Sequence, residues 1–310
     1  MSANIHISIV IVNYNVKQLL LQCLKSIYSN IGAGLVIETI VVDNNSADDS
    51  VESLKKEYPQ VILIENKFNA GFSGANNQGM EIAKGECVFL LNPDTEVLGN
   101  ALEQLYFYLK ANEDCSIVAP RLWNSDHTIQ ISVWKNHAPI DLVLETFFLH
   151  NVIGRLNYPI AQLKSTFEVK TASGAALFFN KNLIKKIGML DVSLFWMEDI
   201  DFSKRAQECG KLMYLQTAEV IHHSGQSQKK NYNISIANQL LSKLKYYKKY
   251  HSFLGYVVAT LSCFIFIVSR IIIFGLLSPT KDIYLLKLRA YLYTFKRYFK
   301  YLFLNDKKLV

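Results

Sequence analysis

Three short polar runs carry side chains suited to chemistry on a phosphate or a hydroxyl. Asn92-Pro93-Asp94-Thr95-Glu96 follows the apolar run Val88-Phe89-Leu90-Leu91. A carboxylate held behind a proline at a strand end is a ligand for a hard divalent cation, and magnesium completes its shell with substrate phosphates and water. Glu198-Asp199-Ile200-Asp201 opens a helix pattern behind Phe195-Trp196-Met197. Capping and the helix dipole account for one or two acids there, but not for three in four residues. A carboxylate beside an apolar wall has its pKa raised toward a base's working range, so this cluster is a general-base candidate. His222-His223 ends an apolar strand pattern and leads into Ser224-Gly225-Gln226-Ser227. Strand alternation turns only one of the two imidazoles toward a given pocket, as a metal ligand or as an edge histidine satisfied by its neighbours.

These runs need a scaffold, and the first 120 residues supply one. Strands are expected over 8–12, 37–42, 61–64 and 87–91, separated by helices over 16–29, 47–57 and 75–83. The strands are apolar on both faces, as a helix-covered sheet requires. Ligands bind such sheets at the carboxyl ends of the strands. Asn13, Asp43 and Asn92 fall at three of those ends.

Asp43 is suited to accept a hydrogen bond from a nucleobase imide or a ribose hydroxyl, and Asp43-Asn44-Asn45-Ser46 is equally suited to an Asx turn or a helix cap. Gly71, Gly74 and Gly79 lack the G-x-G-x-x-G spacing and follow the third strand, which argues against a dinucleotide fingerprint. Asn69, Asn76 and Asn77 around them are expected to face a nucleotide or sugar. Beyond residue 122 the pattern is less regular: hairpin pieces at 129–134, an apolar helix at 141–152, a strand through 173–179, a helix at 181–187, a helix at 198–209, and strands at 211–215 and 218–221.

Half of the 310 residues are apolar, which supports one large α/β domain with an appendage and argues against disorder. Five scattered cysteines without a C-x-x-C point to reduced thiols and not to zinc or disulfides. After Met1-Ser2-Ala3 the chain enters a strand pattern with no basic leader, so the first part is expected to stay in the cytoplasm. Residues 1–228 hold 18 Lys/Arg against 24 Asp/Glu, whereas 229–310 hold 15 against 2. That tail is also rich in aromatic and aliphatic residues, and fits an anionic membrane surface and not nucleic acid.

Together the segments resemble the GT-A glycosyltransferases of family 2, particularly bacterial rhamnosyltransferase-like members. The resemblance is carried by Ile9-Val10-Ile11-Val12-Asn13-Tyr14-Asn15, Val41-Val42-Asp43-Asn44-Asn45-Ser46, Asn69-Ala70-Gly71-Phe72, Asn76-Asn77-Gln78-Gly79, Asn92-Pro93-Asp94, Ser173-Gly174-Ala175, Glu198-Asp199-Ile200-Asp201 and His222-His223. It covers about residues 6 to 251 and implies an α/β mixed sheet flanked by helices; with the division of charge, a catalytic domain is expected over 1–228 and a basic, apolar helical region over 229–310. It implies that Asn13, Asp43 and Asn92 line the base and ribose pocket of a nucleoside-diphosphate sugar. Asp94 would hold Mg2+ or Mn2+ on the diphosphate, at the end of a motif whose first acid is here Asn92. With one carboxylate fewer, a second ligand is needed, and the resemblance favours His222 over His223. Asp199 would be the base that deprotonates the acceptor hydroxyl, with inversion at the anomeric carbon.

Residues 253–277 form an apolar stretch long enough to cross a bilayer, interrupted by Arg270. Six basic residues precede it and eight follow, so the positive-inside rule selects no orientation. A helix or hairpin lying in the cytoplasmic leaflet, with Arg270 snorkelling, is expected in preference to a single span. The resulting picture is an enzyme at the cytoplasmic face of a bacterial inner membrane, acting on a glycan or lipid-linked acceptor in cell-surface polysaccharide synthesis. The rivals are a nucleotidyltransferase, for which the basic loop after strand one is lacking, and a catalytically silent membrane scaffold or glycan-binding protein.

Overall fold

Branched apolar residues on both faces of Ile7–Asn13 make it strand β1 at the centre of a mixed sheet in the computed structural model, which describes residues 4–32, 34–149, 153–223 and 232–304. The other strands are β2 (Ile37–Asp43), β3 (Ile62–Glu65), β4 (Cys87–Leu91), β5 (Thr95–Leu98), β6 (Cys115–Trp123), β7 (Val133–Trp134), β8 (Phe167–Val169), β9 (Thr171–Ala172), β10 (Ala176–Asn180) and β11 (Lys211–His222). The sheet order is β3-β2-β1-β4-β10-β6-β11-β5, with β8 also on β11, while β7 and β9 form a separate pair. β1 runs parallel to β2 and β4, and β6 parallel to β11; β10 is antiparallel to β4 and β6. The carboxyl ends of β1, β2, β4, β6 and β11 therefore lie along one edge.

Alternation along β1 sends Ile9 and Ile11 into one core layer with Leu20, Leu24 and Leu105, and Val10 into the other with Ala75, Met80 and Phe202. Each such side chain contributes about 1.5–3 kcal/mol on burial. The helices on these faces are α1 (Lys17–Ser29), α2 (Ser50–Glu57), α3 (Gly71–Ile82), α4 (Ala101–Ala111), α6 (Asn182–Ile187) and α7 (Glu198–Ala206), with α5 (Pro139–Thr146) outside this unit. At Gly79 a β-carbon would stand 2.3 Å from Val10 Cγ1, so the glycine serves the close approach of α3 to the sheet.

Several local expectations change. Helix α3 begins four residues before the expected start, because Asn69 Oδ1 accepts the Gly71 amide at 2.8 Å and Gly71 takes φ +73°. The strand expected through 173–179 begins only at Ala176, as β10, since the Ser173 amide bonds Ser132 O and the Gly174 amide bonds the Asp199 carboxylate. The two strands expected over 211–221 are one, with a register shift between Leu215 and Glu219. The helix expected over 141–152 starts at Pro139 and stops at Thr146, Phe148 having φ +60°; residues 150–152 lie outside the described residues. So do Ser224–Ser227 and the domain boundary expected after 228.

Contacts divide the chain into two units. The first holds Met1–Lys135, Asn157–Val192 and Glu198–Ser227; the second holds Asn136–Leu156, Ser193–Met197 and Gln228–Val310. The second is helical: α5, α8 (Tyr232–Tyr250), α9 (Phe253–Leu277) and α10 (Asp282–Phe303). The extent of α9 is that expected for the apolar stretch. Arg270 does not snorkel: it is 5% exposed, donates to Thr146 O at 2.8 Å and Glu145 O at 3.2 Å, and lies against the Phe148 and Phe266 rings. The guanidinium thus caps the carboxyl end of α5, sharing Glu145 O with the Phe148 amide.

Candidate functional site

The register of the sheet gathers the polar residues. β1 and β2 pair Asn13 with Asp43, which sets the two side chains beside one another at the edge. Asn13 Nδ2 donates to Asp43 Oδ1 at 2.7 Å and to Ser46 Oγ at 3.0 Å, and the Ser46 amide donates to Asp43 Oδ2 at 2.9 Å. Asp43 thus forms the Asx-type turn that its sequence allows, and is buried. Asn13 Oδ1 is buried and, among the described residues, without a hydrogen-bond donor. Asn76 and Asn77 are engaged internally: Asn76 donates to Phe72 O, and Asn77 both donates to and accepts from the Leu190 backbone. They do not face a ligand.

β11 runs antiparallel to β5 with His222 opposite Thr95, which brings Asp94 to both histidines. His222 Nε2 lies 3.3 Å from Asp94 Oδ1, and its Nδ1 lies 2.8 Å from Gln130 Oε1. His223 has both nitrogens engaged, with Glu96 Oε1 at 2.6 Å from Nε2 and Ser125 Oγ at 2.8 Å from Nδ1, while its amide donates to Asp94 O. The two histidines and Asn124, Ser125 and Asp126 line a cavity of about 300 Å³. Two ligands about 2.1 Å from an ion and at a right angle to each other stand about 3 Å apart, so the Asp94–His222 pair fits one divalent cation. Among the described residues no group of three or more His, Cys, Asp or Glu surrounds a common point, so such an ion would take its other ligands from substrate and water.

Asn92 is fixed by its backbone, its amide donating to Ala175 O and its carbonyl accepting from Thr95 Oγ1. That bond ties the end of β4 to the start of β10, and Gly174 ties the start of β10 to α7. Asp199 Oδ2 accepts the Gly174 amide at 2.8 Å, and Oδ1 accepts the Ile200 amide at 2.8 Å. A β-carbon on Gly174 would sit 3.3 Å from Asp199 Cβ and from Phe72 Cζ, so the missing side chain lets the carboxylate approach. Burial raises the Asp199 pKa, and the two amides pull against that rise without cancelling it. Asp201 is different: fully buried, it pairs with Arg205 at 2.9 Å, a structural role.

The profile of the family described as glycosyl transferase family 2 matches residues 8–188, more than half of the chain. The chain belongs to glycosyl transferase family 2. This family 2 chain is 33% identical over 142 residues to the poly(ribitol-phosphate) beta-glucosyltransferase of Bacillus spizizenii, covering 44% of this chain and 22% of that one. It therefore spans about a fifth of that relative's length. It is 24% identical over 208 residues to the N-acetylglucosaminyl-diphospho-decaprenol L-rhamnosyltransferase of Mycobacterium tuberculosis, covering 62% and 68%. A mannosyltransferase from Pyrobaculum calidifontis, solved in complex with GDP-Man and Mn2+, superposes with a TM-score of 0.58 at 15% identity, covering 98% and 89%. The fold is the GT-A mixed sheet flanked by helices.

In this family 2 chain the loop that follows β6 had no reading in the sequence as part of the site. Its Asn124, Ser125, Asp126, Thr128 and Gln130 reach the histidines because β6 and β11 pair Trp123 with Ile221. The available signal was a cluster of turn-forming polar residues, Asn124-Ser125-Asp126, behind an apolar run of strand length.

Proposed function

We propose that this chain is an inverting glycosyltransferase that moves a sugar, with rhamnose the first to test, from a nucleoside diphosphate to a hydroxyl of a lipid-linked glycan in cell-surface polysaccharide synthesis. The observation that carries the reading is the Asp94–His222 pair at the carboxyl edge of one GT-A sheet, with Asp199 held by Gly174 just before β10, whose entry Ala175 is bonded by the Asn92 amide. Asn13, Asp43 and Asn92 bind the base and ribose of the donor, and the unpartnered Asn13 Oδ1 is an acceptor for a nucleobase or ribose donor. Asp94 and His222 hold Mg2+ or Mn2+. When bound, such an ion neutralises charge on a departing diphosphate.

Asp199 accepts the proton of the acceptor hydroxyl, whose oxygen forms a bond to the anomeric carbon. The bond from that carbon to the diphosphate oxygen breaks, and the nucleoside diphosphate leaves with the electron pair. The amides of Gly174 and Ile200 hold the carboxylate in one orientation, which places the base before the acceptor arrives.

The second unit holds the enzyme on the cytoplasmic face of the bacterial inner membrane. Its helices expose Phe253, Leu254, Leu276 and Phe303, with basic residues on α10, and the tail's positive charge complements anionic lipid.

The test is a thermal-shift screen of nucleotide sugars with Mn2+, beginning with dTDP-rhamnose, followed by nucleoside diphosphate release. Release should require both Mn2+ and an acceptor. Release of sugar 1-phosphate in place of nucleoside diphosphate would favour a nucleotidyltransferase, and the lack of any turnover with every donor a binding or scaffold protein.

A further inference from the structure

The loop after β6 holds a chain of hydrogen bonds with a fixed polarity. At its far end Asp126 Oδ1 accepts the Thr128 hydroxyl at 2.6 Å and the Thr128 amide at 3.0 Å. These donors hold the Asp126 carboxyl below its usual range, so it is ionised and can only accept. With its proton committed to Asp126, the Thr128 hydroxyl accepts from Asn124 Nδ2 at 2.9 Å. Asn124 then presents Oδ1, which accepts from Gln130 Nε2 at 2.7 Å. The same Gln130 nitrogen faces His222 O at 3.4 Å, a carbonyl that can only accept. Both anchors leave Gln130 Oε1 facing His222 Nδ1 at 2.8 Å, so Nδ1 carries the proton.

We propose that Asp126, Thr128, Asn124 and Gln130 form a relay that fixes the His222 tautomer and leaves Nε2 as a bare lone pair aimed at Asp94. In the neutral ring, two acceptors 3.3 Å apart repel each other unless a metal ion or an added proton lies between them. The relay thus turns the His222–Asp94 pair from a hydrogen bond into a pair of metal ligands. In the opposite tautomer, the Nδ1 lone pair would meet Gln130 Oε1. Flipping both amides to relieve that would take the Thr128 proton from Asp126 and set Gln130 Oε1 against His222 O. Gln130 is accordingly a positioning residue: it does not touch the ion, and acts by orienting and polarising a ligand that does. This inference rests on the metal reading of Asp94 and His222.

The experiment reads tautomer and metal separately. The full chain is labelled with 15N-histidine, and its metal-free two-bond proton–nitrogen spectrum is recorded at neutral pH, the His222 ring being assigned by loss of its signals in His222→Asn. Mn2+ alone is then titrated and followed by EPR. In the wild type, Nδ1 is protonated and Nε2 bare. Gln130→Leu moves the proton to Nε2 and weakens Mn2+ about 10–100-fold, the usual loss of a ligand's orienting partner. Gln130→Glu, which keeps an acceptor for Nδ1–H, retains the wild-type tautomer and binds Mn2+ within a few-fold of it. A wild-type ring protonated on Nε2, or a Gln130→Leu protein with unchanged tautomer and Mn2+ affinity, overturns the relay. A wild-type ring protonated on Nδ1 that binds no Mn2+ supports the relay and overturns the metal reading instead.

Discussion

Asp199 stands under opposed influences, with burial raising its pKa and the amides of Gly174 and Ile200 lowering it, burial the stronger. Two consequences follow for this one side chain. The acid limb of its pH–rate profile should lie above the ordinary carboxylate range and vanish in Asp199→Asn, whose turnover should fall roughly 10²–10⁴-fold with nucleotide affinity nearly intact. The second concerns folding: the folded pKa lies above the unfolded one, so the favourable contribution is complete below the unfolded pKa and is lost as pH rises through the folded pKa. Thermal unfolding should therefore find the wild type losing stability relative to Asp199→Asn as pH rises, on top of a pH-independent cost to the variant, whose amide nitrogen meets one of the two backbone N–H groups. Asp94→Ala should instead weaken Mn2+-dependent donor binding, read by titration calorimetry with and without the ion. Equal loss of donor affinity in both variants, with turnover at saturation unchanged, would refute the division of roles. The placement of Asp94, Asp199 and His222 at the ends of elements was legible from residue type and order. The relay behind His222 was not, since its members meet that ring only through the register of two strands almost a hundred residues apart.

At the scale of elements, the glycine at 79 and the pair Asp201–Arg205 test how the scaffold holds the site. Gly79→Ala drives a methyl group into Val10 Cγ1 beneath α3, and overpacking of this kind costs about 1–3 kcal/mol. Asp201→Ala removes one member of an ion pair whose carboxylate is fully buried and should cost about 3–5 kcal/mol, because the Arg205 guanidinium loses its counter-charge. Denaturant titration checks both, and a loss under 0.5 kcal/mol in either would refute its argument. Periodicity located the parallel strands and their helices because both faces of that part of the sheet are covered, giving unbroken apolar runs. It misjudged the start of α3, where a side-chain oxygen of Asn69 begins the helix in a glycine-rich run of low propensity. It also started β10 three residues early, since Gly174 is drawn out of the strand by a carboxylate on α7, which leaves no mark in local hydropathy.

At the scale of the whole molecule the open choice is between a span and an in-plane helix for α9, and the second unit argues for the latter. A lone span would have to part from α5. Instead Thr146 Oγ1 lies 3.2 Å from Ser262 O, Arg270 binds the α5 carbonyls, and Tyr298 on α10 donates to Thr260 O at 3.0 Å. These bonds fasten α9 along much of its length to helices that carry charge, among them Lys243 paired with Glu145. The apolar surface left over includes Phe253 at 83% exposure, Leu254 at 72% and Leu276 at 77%. On the proposed membrane reading, such a helix is expected in the interface, its apolar residues toward the acyl boundary and its basic neighbours among anionic headgroups. Alkaline carbonate should therefore release the protein from membranes. Binding to vesicles containing phosphatidylglycerol should exceed binding to phosphatidylcholine alone and weaken with salt. Replacing Leu254 and Leu276 by serine removes about 1.5–3 kcal/mol of burial at each position, so vesicle affinity should fall by tenfold or more while nucleotide binding by the first unit persists. Retention of the wild type through carbonate extraction would show α9 crossing the bilayer.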